Sequence, residues 1–394
     1  MLLQNKKIAI VGGGPGGLTL ARLLQIKGAN VQVYERDLNR GVRVQGATLD
    51  LHHESGLKAL SAAGLMDAFK ANYRPGADRI RVTDQHATIF LDQHNDQAVE
   101  DFGNPWFRPE IDRGPLRELL LNSLIPGTVI WDSYITTIGK DSDGWVLNFF
   151  NGHSAKADLV IAADGAKSKV RPMLTPVKPF YSGITVVEGN IYHADINAPQ
   201  LAELLNGGKV FAFGDFKTII LSSKGDGSIA FYTGFATDKA IRPGSQVGNH
   251  AAIKDIVDHQ NLLEWFKKEY AGWDPIWHEL FAHQDTSFTV RPLHCMPLDQ
   301  SWASQPDITM LGDAAHLIPP YAGEGVNMAM LDALKLSEAL TGDTFRDSLS
   351  AIAHYEKRML QRFTAAAGTT LDNTAWMHSQ EGLTRILLMF RPEA

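Results

Sequence analysis

Gly12, Gly14 and Gly17 stand in a G-x-G-x-x-G arrangement within GGGPGG, and Glu35 follows Gly14 by 21 residues. Glycines so spaced permit a tight turn, a close backbone approach to a pyrophosphate, and tight helix–strand packing. An acid at that remove suits a ribose hydroxyl. The flanking residues supply the elements such a site requires. Residues 8–11 (IAIV) read as a buried strand. Leu18, Leu20, Ala21, Leu23 and Leu24 then recur at helical spacing until Gly28 stops the helix. A second apolar run, 31–34, leads into Glu35 and Arg36. Strand, glycines, helix, strand and terminal acid in register predict a dinucleotide site, the phosphates lying at the helix N-terminus. Glu35 would repel a 2′-phosphate, so the tightly held dinucleotide is FAD or NAD rather than NADP.

Other segments carry the same kind of chemistry. Residues 158–171, DLVIAADGAKSKVR, predict a strand followed by Asp164-Gly165, with Ser168 and Arg171 beyond. Residues 308–311 predict another strand running into Gly312-Asp313-Ala314-Ala315-His316. Asp313 is placed to accept hydrogen bonds from hydroxyl groups, which a buried carboxylate needs. Pro319-Pro320-Tyr321 precede Gly323-Glu324-Gly325-Val326-Asn327, which open a periodic helix, MAMLDALKLSEAL. Its N-terminal N–H groups and positive dipole end face whatever sits at the turn. His316 reads as a local hydrogen-bonding residue that holds this loop. Arg113 and Arg117, four apart, share one face of a helix expected over 112–124.

These three motifs, in this order, resemble the class A flavoprotein monooxygenases, the aromatic-hydroxylase family built on the glutathione-reductase-type FAD fold. The resemblance spans essentially the whole chain and makes FAD the resident dinucleotide. It implies that Asp164 and Asp313 bind FAD and that Gly323–Asn327 face the pyrimidine end of the flavin. Pro319 belongs to the same flavin-contacting stretch, and Arg117 matches the family's arginine near the cofactor phosphates. Residues 41–51 (GVRVQGATLDL), 33–37 (VYERD), 120–132 and 310–327 are similar to the tetracycline-inactivating flavin monooxygenases of the Tet(X) type. There the arginine matching Arg43 is associated with the flavin edge and NADPH, and the acid matching Asp50 with FAD. A glutamine, an arginine and a histidine hold the drug's polar edge in that type; Glu188, Lys209 and Ala230 stand at the matching positions. Lysine lacks the planar fork of arginine, and alanine offers no hydrogen bond.

The expected fold is α/β: an FAD-binding Rossmann domain, an inserted antiparallel β-sheet substrate domain, and a C-terminal helical segment. Residues 1–75, 100–175 and 291–345 are assigned to the first, 76–99 and 176–290 to the second, and 346–394 to the third. Residues 208–213, 218–223 and 228–235 read as strands parted by the turn Lys224-Gly225-Asp226-Gly227. Helices are expected at 251–270 and 347–370, the latter carrying a Tyr355, Met359, Phe363 stripe, with a shorter helix closing the chain. Pro320, Tyr321 and Met377, at the edge of the predicted cavity, are substrate-contact candidates.

Composition narrows the remaining classes. The 394 residues carry 37 Lys+Arg against 44 Asp+Glu, a net charge of −7, which argues against nucleic-acid binding. No apolar run reaches the roughly 18 residues of a membrane span, and the N-terminal one ends too soon for a signal peptide. Cys295 stands alone, so no disulfide framework exists. A cytoplasmic, monomeric protein is expected. The 14 histidines form no metal-binding signature, and no G-x-S-x-G elbow suggests a hydrolase. The resemblance implies an FAD-dependent monooxygenase consuming NADPH or NADH and O2. It would hydroxylate a polycyclic phenolic or enolic small molecule, with tetracycline a candidate, through a C4a-hydroperoxide. Because the cofactor performs the hard chemistry, no side chain is nominated as catalytic. A halogenase or reductase of the same fold is an alternative, although no Trp-x-Trp-x-x-Pro signature occurs. A non-catalytic FAD- or drug-binding protein is another.

Overall fold

A computed structural model describes residues 2–42, 46–95, 100–236 and 259–390. The β-branched strand Lys7–Val11 lies inside a five-stranded parallel sheet, between Leu159–Ala162 and Asn30–Tyr34. Ile308–Met310 extends the sheet beyond Leu159–Ala162, and Val129–Ile130 closes the other edge. Three adjacent strands therefore end side by side: Val11 is registered with Ala162, and Ala162 with Met310. Each runs directly into one of the three motifs, which are more than 140 residues apart along the chain and adjacent in space. Ligands of open α/β sheets bind at this carboxyl edge.

Close approach explains two glycines. Gly12 has φ +110°, and a Cβ there would lie 2.3 Å from the Ala163 carbonyl oxygen. A Cβ on Gly17 would lie 2.1 Å from the Gly12 carbonyl oxygen. The helix Pro15–Ile26 begins at Gly14 and buries its Leu18, Leu20, Leu23 and Leu24 stripe.

A seven-stranded sheet forms the second layer, in the order Ser287–Cys295, Phe180–Ile191, Ile229–Ala236, Lys217–Ser223, Lys209–Gly214, Ile80–Asp84, Ile89–Asp92. Its pairings are antiparallel except one: Lys209–Gly214 runs parallel to Ile80–Asp84. The expected purely antiparallel sheet thus has a mixed edge, because the 80–92 hairpin joins from a distant part of the chain. Strand Ser287–Cys295 also runs across the 290/291 boundary drawn from sequence. One face of this sheet packs Val187, Val210, Ile219 and Phe231 against helices Pro199–Leu205 and His259–Glu269 and the Trp277 segment. The residues of the expected 251–270 helix that precede 259 lie outside the described ones. The opposite face looks toward the motifs.

The C-terminal helix Ser348–Met377 is longer than the periodicity predicts and is capped by Asp347, whose Oδ1 accepts from the Ser350 N–H at 2.8 Å. Its Tyr355, Met359 and Phe363 stripe is buried, and the Tyr355 hydroxyl donates to the Met310 carbonyl at 2.9 Å. From this helix Arg362 reaches Asp332 at 3.0 Å, while Asp332 also pairs with His316 and accepts from the Gly312 N–H at 3.2 Å. His316 is thus the loop-holding residue expected from sequence. Burial opposes its charged form, but the Asp332 carboxylate outweighs burial and leaves the imidazole above its ordinary value. Burial likewise raises Asp332, yet His316 and Arg362 bring it below the usual carboxylate range. Cys295 is buried, which pushes its thiol up to about 12. Among the described residues no helix is long and apolar enough to cross a membrane.

Trp277 is fully buried and donates its indole N–H to the Gln85 carbonyl at 2.9 Å. Trp277→Ala should destabilise the protein by about 3–5 kcal/mol, read as a lower urea midpoint. The stabilisation that His316 gains from its raised value is complete below the ordinary 6.5 and is lost as pH rises through the folded value. The stability difference between wild type and His316→Gln should therefore shrink from mildly acid to alkaline pH in urea titrations. A difference constant across that range would contradict the pairing.

Candidate functional site

Gly14 caps the Pro15–Ile26 helix with no side-chain cap, and the first turn holds no acidic residue. Nothing lies within 4 Å of where a Gly14 Cβ would be. Open space thus meets free backbone N–H groups and the positive dipole end, the arrangement a pyrophosphate requires. Glu35 is buried at the end of the second strand and accepts from the Gly13 N–H at 2.5 Å and the Asp37 N–H at 3.0 Å. Its carboxylate therefore shapes the glycine turn directly. Arg36 is exposed beside it. Arg43 lies outside the described residues.

Arg117 is buried within the helix Arg113–Asn122. It donates to Asp37 Oδ2 at 3.0 Å and to the Arg40 carbonyl at 2.7 Å, and lies 5.2 Å from the Trp131 ring centre. The expectation of a phosphate contact thus meets a guanidinium already engaged in holding the loop after the second strand. Arg113 is more open: its Nε donates to the Ala47 carbonyl at 3.1 Å, and its charge acts on both Asp313 and Tyr232.

At the two other strand ends, Asp164 accepts from the Lys169 N–H at 2.7 Å, and burial raises its carboxyl. Burial also raises Asp313, against the pull of His316, Arg113 and Arg171. Asp313 follows Gly312, which has φ +56°. Arg171 binds the two loops together. Its guanidinium donates to the Ala314 carbonyl at 2.6 Å and to the Asp313 carbonyl at 2.8 Å. Sequence reading reached Arg171 only as part of its motif; nothing local reveals that its partners lie more than 140 residues away.

Gly323, φ +66°, caps the helix Glu324–Thr341. A Cβ there would lie 2.9 Å from Asp50 Oδ1, so the Asp50 carboxylate sits against this helix start. Asp50 Oδ2 is 3.0 Å from His52 Nε2. Burial would raise Asp50, but His52, Lys209 and Arg108 hold it below the usual range. Asn327 is fully buried and staples this corner: it donates to the Asp50 and Gly323 carbonyls at 2.9 and 3.0 Å and accepts from the His52 N–H at 2.8 Å. Its polar atoms face protein, so its part in the site is to fix the turn. Gly325 and Val326 occupy the first turn above it, and Gly325 has open space at its Cβ position.

The substrate candidates divide. Glu188 lies on the motif-facing side of the large sheet, paired with Arg291 at 2.6 Å and registered opposite Tyr232. Arg291 and Tyr232 escaped sequence reading, because only strand pairing brings them beside Glu188. Lys209 is half-buried and ion-paired with Glu110. Burial would discharge it, but Glu110 and Asp50 hold its ammonium above the ordinary value. Its charge is thus neutralised within the protein, and Glu110 is a partner no spacing pointed to. Ala230 is buried. Pro319 is buried and Pro320 exposed. Tyr321 is half-buried between Val82–Phe213–Met377 and Ile184–Val186–Leu293, two apolar groups on the inner sheet face. Met377 is itself buried in the first of them. Among the described residues no group of three or more acidic, histidine or cysteine side chains could hold a metal.

Comparison with known proteins agrees with this geometry. The family described as an FAD binding domain matches residues 5–106 and 151–367. Monooxygenase penA of Penicillium thymicola is 28% identical over 96% of this chain and 97% of its own. The 6-hydroxynicotinate 3-monooxygenase of Pseudomonas fluorescens is 25% identical over 96% of this chain and 93% of its own. Among solved structures, the tetracycline destructase Tet(55) superposes with a TM-score of 0.71 at 20% identity, over 96% of this chain and 91% of that one, a likeness of fold. With the glycine turn, the two aspartate loops and the capped helix on one sheet edge, the chain belongs to the FAD-binding-domain family and is a class A flavin-dependent monooxygenase.

Proposed function

We propose that the protein uses NADPH or NADH and O2 to hydroxylate a polycyclic phenolic or enolic small molecule. The reading rests on one arrangement: the carboxyl edge of the parallel sheet opens toward the motif-facing side of the large sheet. That side is mainly apolar, with a few polar groups, among them Glu188–Arg291, Tyr232 and Tyr321. Bound FAD supplies the redox and oxygen-transfer chemistry; the protein binds, orients and excludes water.

In this reading the Gly14 helix start receives the pyrophosphate, Glu35 and Arg36 the adenosine side, and Asp164 and Asp313 the hydroxyl-bearing linker. Asp50 and the Gly323–Asn327 turn border the flavin ring. Arg113, whose charge acts on both Asp313 and Tyr232, is assigned to the cofactor, and Arg43 is kept as a contact for the transient reductant. The parallel sheet with its helices forms the cofactor domain, and the large sheet forms the substrate domain. A planar aromatic substrate, such as the name of the 6-hydroxynicotinate 3-monooxygenase gives, is favoured over tetracycline. Lys209 is committed to Glu110, Glu188 to Arg291, and Ala230 offers no polar group, so the matching polar contacts to the drug are weakened.

Purified protein should be yellow, and a panel of phenols and enols should contain one compound that stimulates NAD(P)H oxidation and gains one oxygen atom by mass. A protein that stays colourless after FAD addition would end the reading. Gly14→Asp should fold, since no atom crowds that position, yet retain little FAD, because its carboxylate would oppose the pyrophosphate. Melting by circular dichroism and flavin absorbance after gel filtration separate the two effects.

A further inference from the structure

Three polar side chains from distant parts of the chain meet over a single glycine of the large sheet. Thr218 comes from strand Lys217–Ser223, Tyr321 from the turn before the Glu324–Thr341 helix, and His378 from the end of the Ser348–Met377 helix. His378 Nε2 lies 3.2 Å from the Thr218 hydroxyl and 3.2 Å from the Tyr321 hydroxyl. A Cβ on Gly234 would fall 2.5 Å from His378 Nε2 and 2.6 Å from each hydroxyl oxygen. The glycine is therefore what lets the three approach the sheet. On the outer side, the Tyr270 hydroxyl donates to the Gly234 carbonyl at 3.3 Å and steadies the same residue.

The protons in this cluster can be assigned from chemistry. His378 Nδ1 is 2.8 Å from the Thr374 carbonyl oxygen. A carbonyl only accepts, so Nδ1 carries the proton. In the neutral ring Nε2 is then a bare acceptor. Burial keeps the ring neutral, pushing it down to about 4. Two hydroxyls converge on one lone pair. Thr218 acts on the Tyr321 oxygen as a donor, so the Tyr321 hydroxyl donates to Nε2 and the Thr218 hydroxyl donates to Tyr321. Both hydroxyl protons are thereby spent inside the cluster, and the Tyr321 oxygen keeps a lone pair but no free proton. Tyr321 is the member that packs against both inner-face apolar groups. It is two residues from Gly323, where the flavin-bordering turn begins.

We propose that Tyr321, positioned by His378, recognises the substrate by accepting a hydrogen bond from a hydroxyl or N–H donor on its edge. The inference rests on the small-molecule hydroxylase reading and narrows it: the substrate carries a neutral donor there, not a carboxylate. Tyr321 touches the substrate, whereas His378 acts through Tyr321 by holding its proton inward. Glu188 and Arg291 occupy the same sheet face and neutralise each other, so the donor is read by this cluster rather than by a net charge.

The test is binding without turnover. FAD-loaded full-length protein is titrated with phenols and with their O-methyl ethers, followed by the change in flavin absorbance. Wild type should bind at least one phenol about tenfold more tightly than its ether, as expected for one buried hydrogen bond. Tyr321→Phe should bring that ratio to within about twofold of unity. His378→Leu should lower the ratio even though the Tyr321 hydroxyl remains, and His378→Gln, which restores an acceptor, should recover part of it. The ratio is the readout because general damage weakens phenol and ether alike. A wild type without preference, or without affinity for either ligand, overturns the proposal, as does an unchanged ratio in Tyr321→Phe. Failure of the hydroxylase reading shows separately, as phenol binding with no oxygenated product.

Discussion

The contact on which the rest of the molecule depends involves no side chain. Gly17, on the first turn of the first helix, presses on the Gly12 carbonyl, and Gly12 presses on the Ala163 carbonyl of the neighbouring strand. Two approaches too tight for a methyl group thus lock the glycine turn to the aspartate loop beside it. The helix N-terminus is thereby aimed along the sheet edge rather than away from it, and its unpaired N–H groups are left facing open space. Everything on that edge is built around this turn: Glu35 holds Gly13 from one side, and the loop carrying Asp164 closes the other.

Buried charge maintains the geometry further out. Arg171 ties the loop of Asp164 to the loop of Asp313, and Asp332 gathers Gly312, His316 and Arg362 under the latter. Breaking such pairs leaves a stranded charge and costs about 3–5 kcal/mol, so these loops hold one arrangement. The overall charge of −7 describes the surface and hides this: near the site, Arg113, Arg171 and two helix N-termini supply local positive potential, while Lys209 is neutralised by Glu110. Most of those cations are already partnered, which is why a simple inventory of basic residues overstates how many are free to meet a ligand.

Local patterns made much of the fold legible. Glycine spacing, β-branched runs and helical stripes are short-range signals, and they located the first strand–helix–strand unit, both aspartate loops, the capped helix at 324 and the long C-terminal helix. Where reading from sequence fell short, the cause was distance along the chain. Lys209 looked like a substrate contact until packing between two separate sheets set it beside the buried Glu110. Asn327 looked like a ligand contact, yet its amide is spent on the backbone of residues 50–56. The mixed edge of the large sheet follows from the 80–92 hairpin joining a strand more than 100 residues later.

By itself, then, the sequence determined the class of cofactor site and its elements, because turns, caps and strand periodicity are encoded within a few residues of where they act. Which side chains face one another across that site was decided only by the tertiary structure. Arg171 on the Asp313 and Ala314 carbonyls, Arg291 beside Glu188, and His378 under Tyr321 are pairings between segments separated by 57 to 143 residues. No local periodicity encodes such pairs. They exist because burying two sheets against shared helices forces each polar group inside to find a partner or be left unsatisfied at a cost.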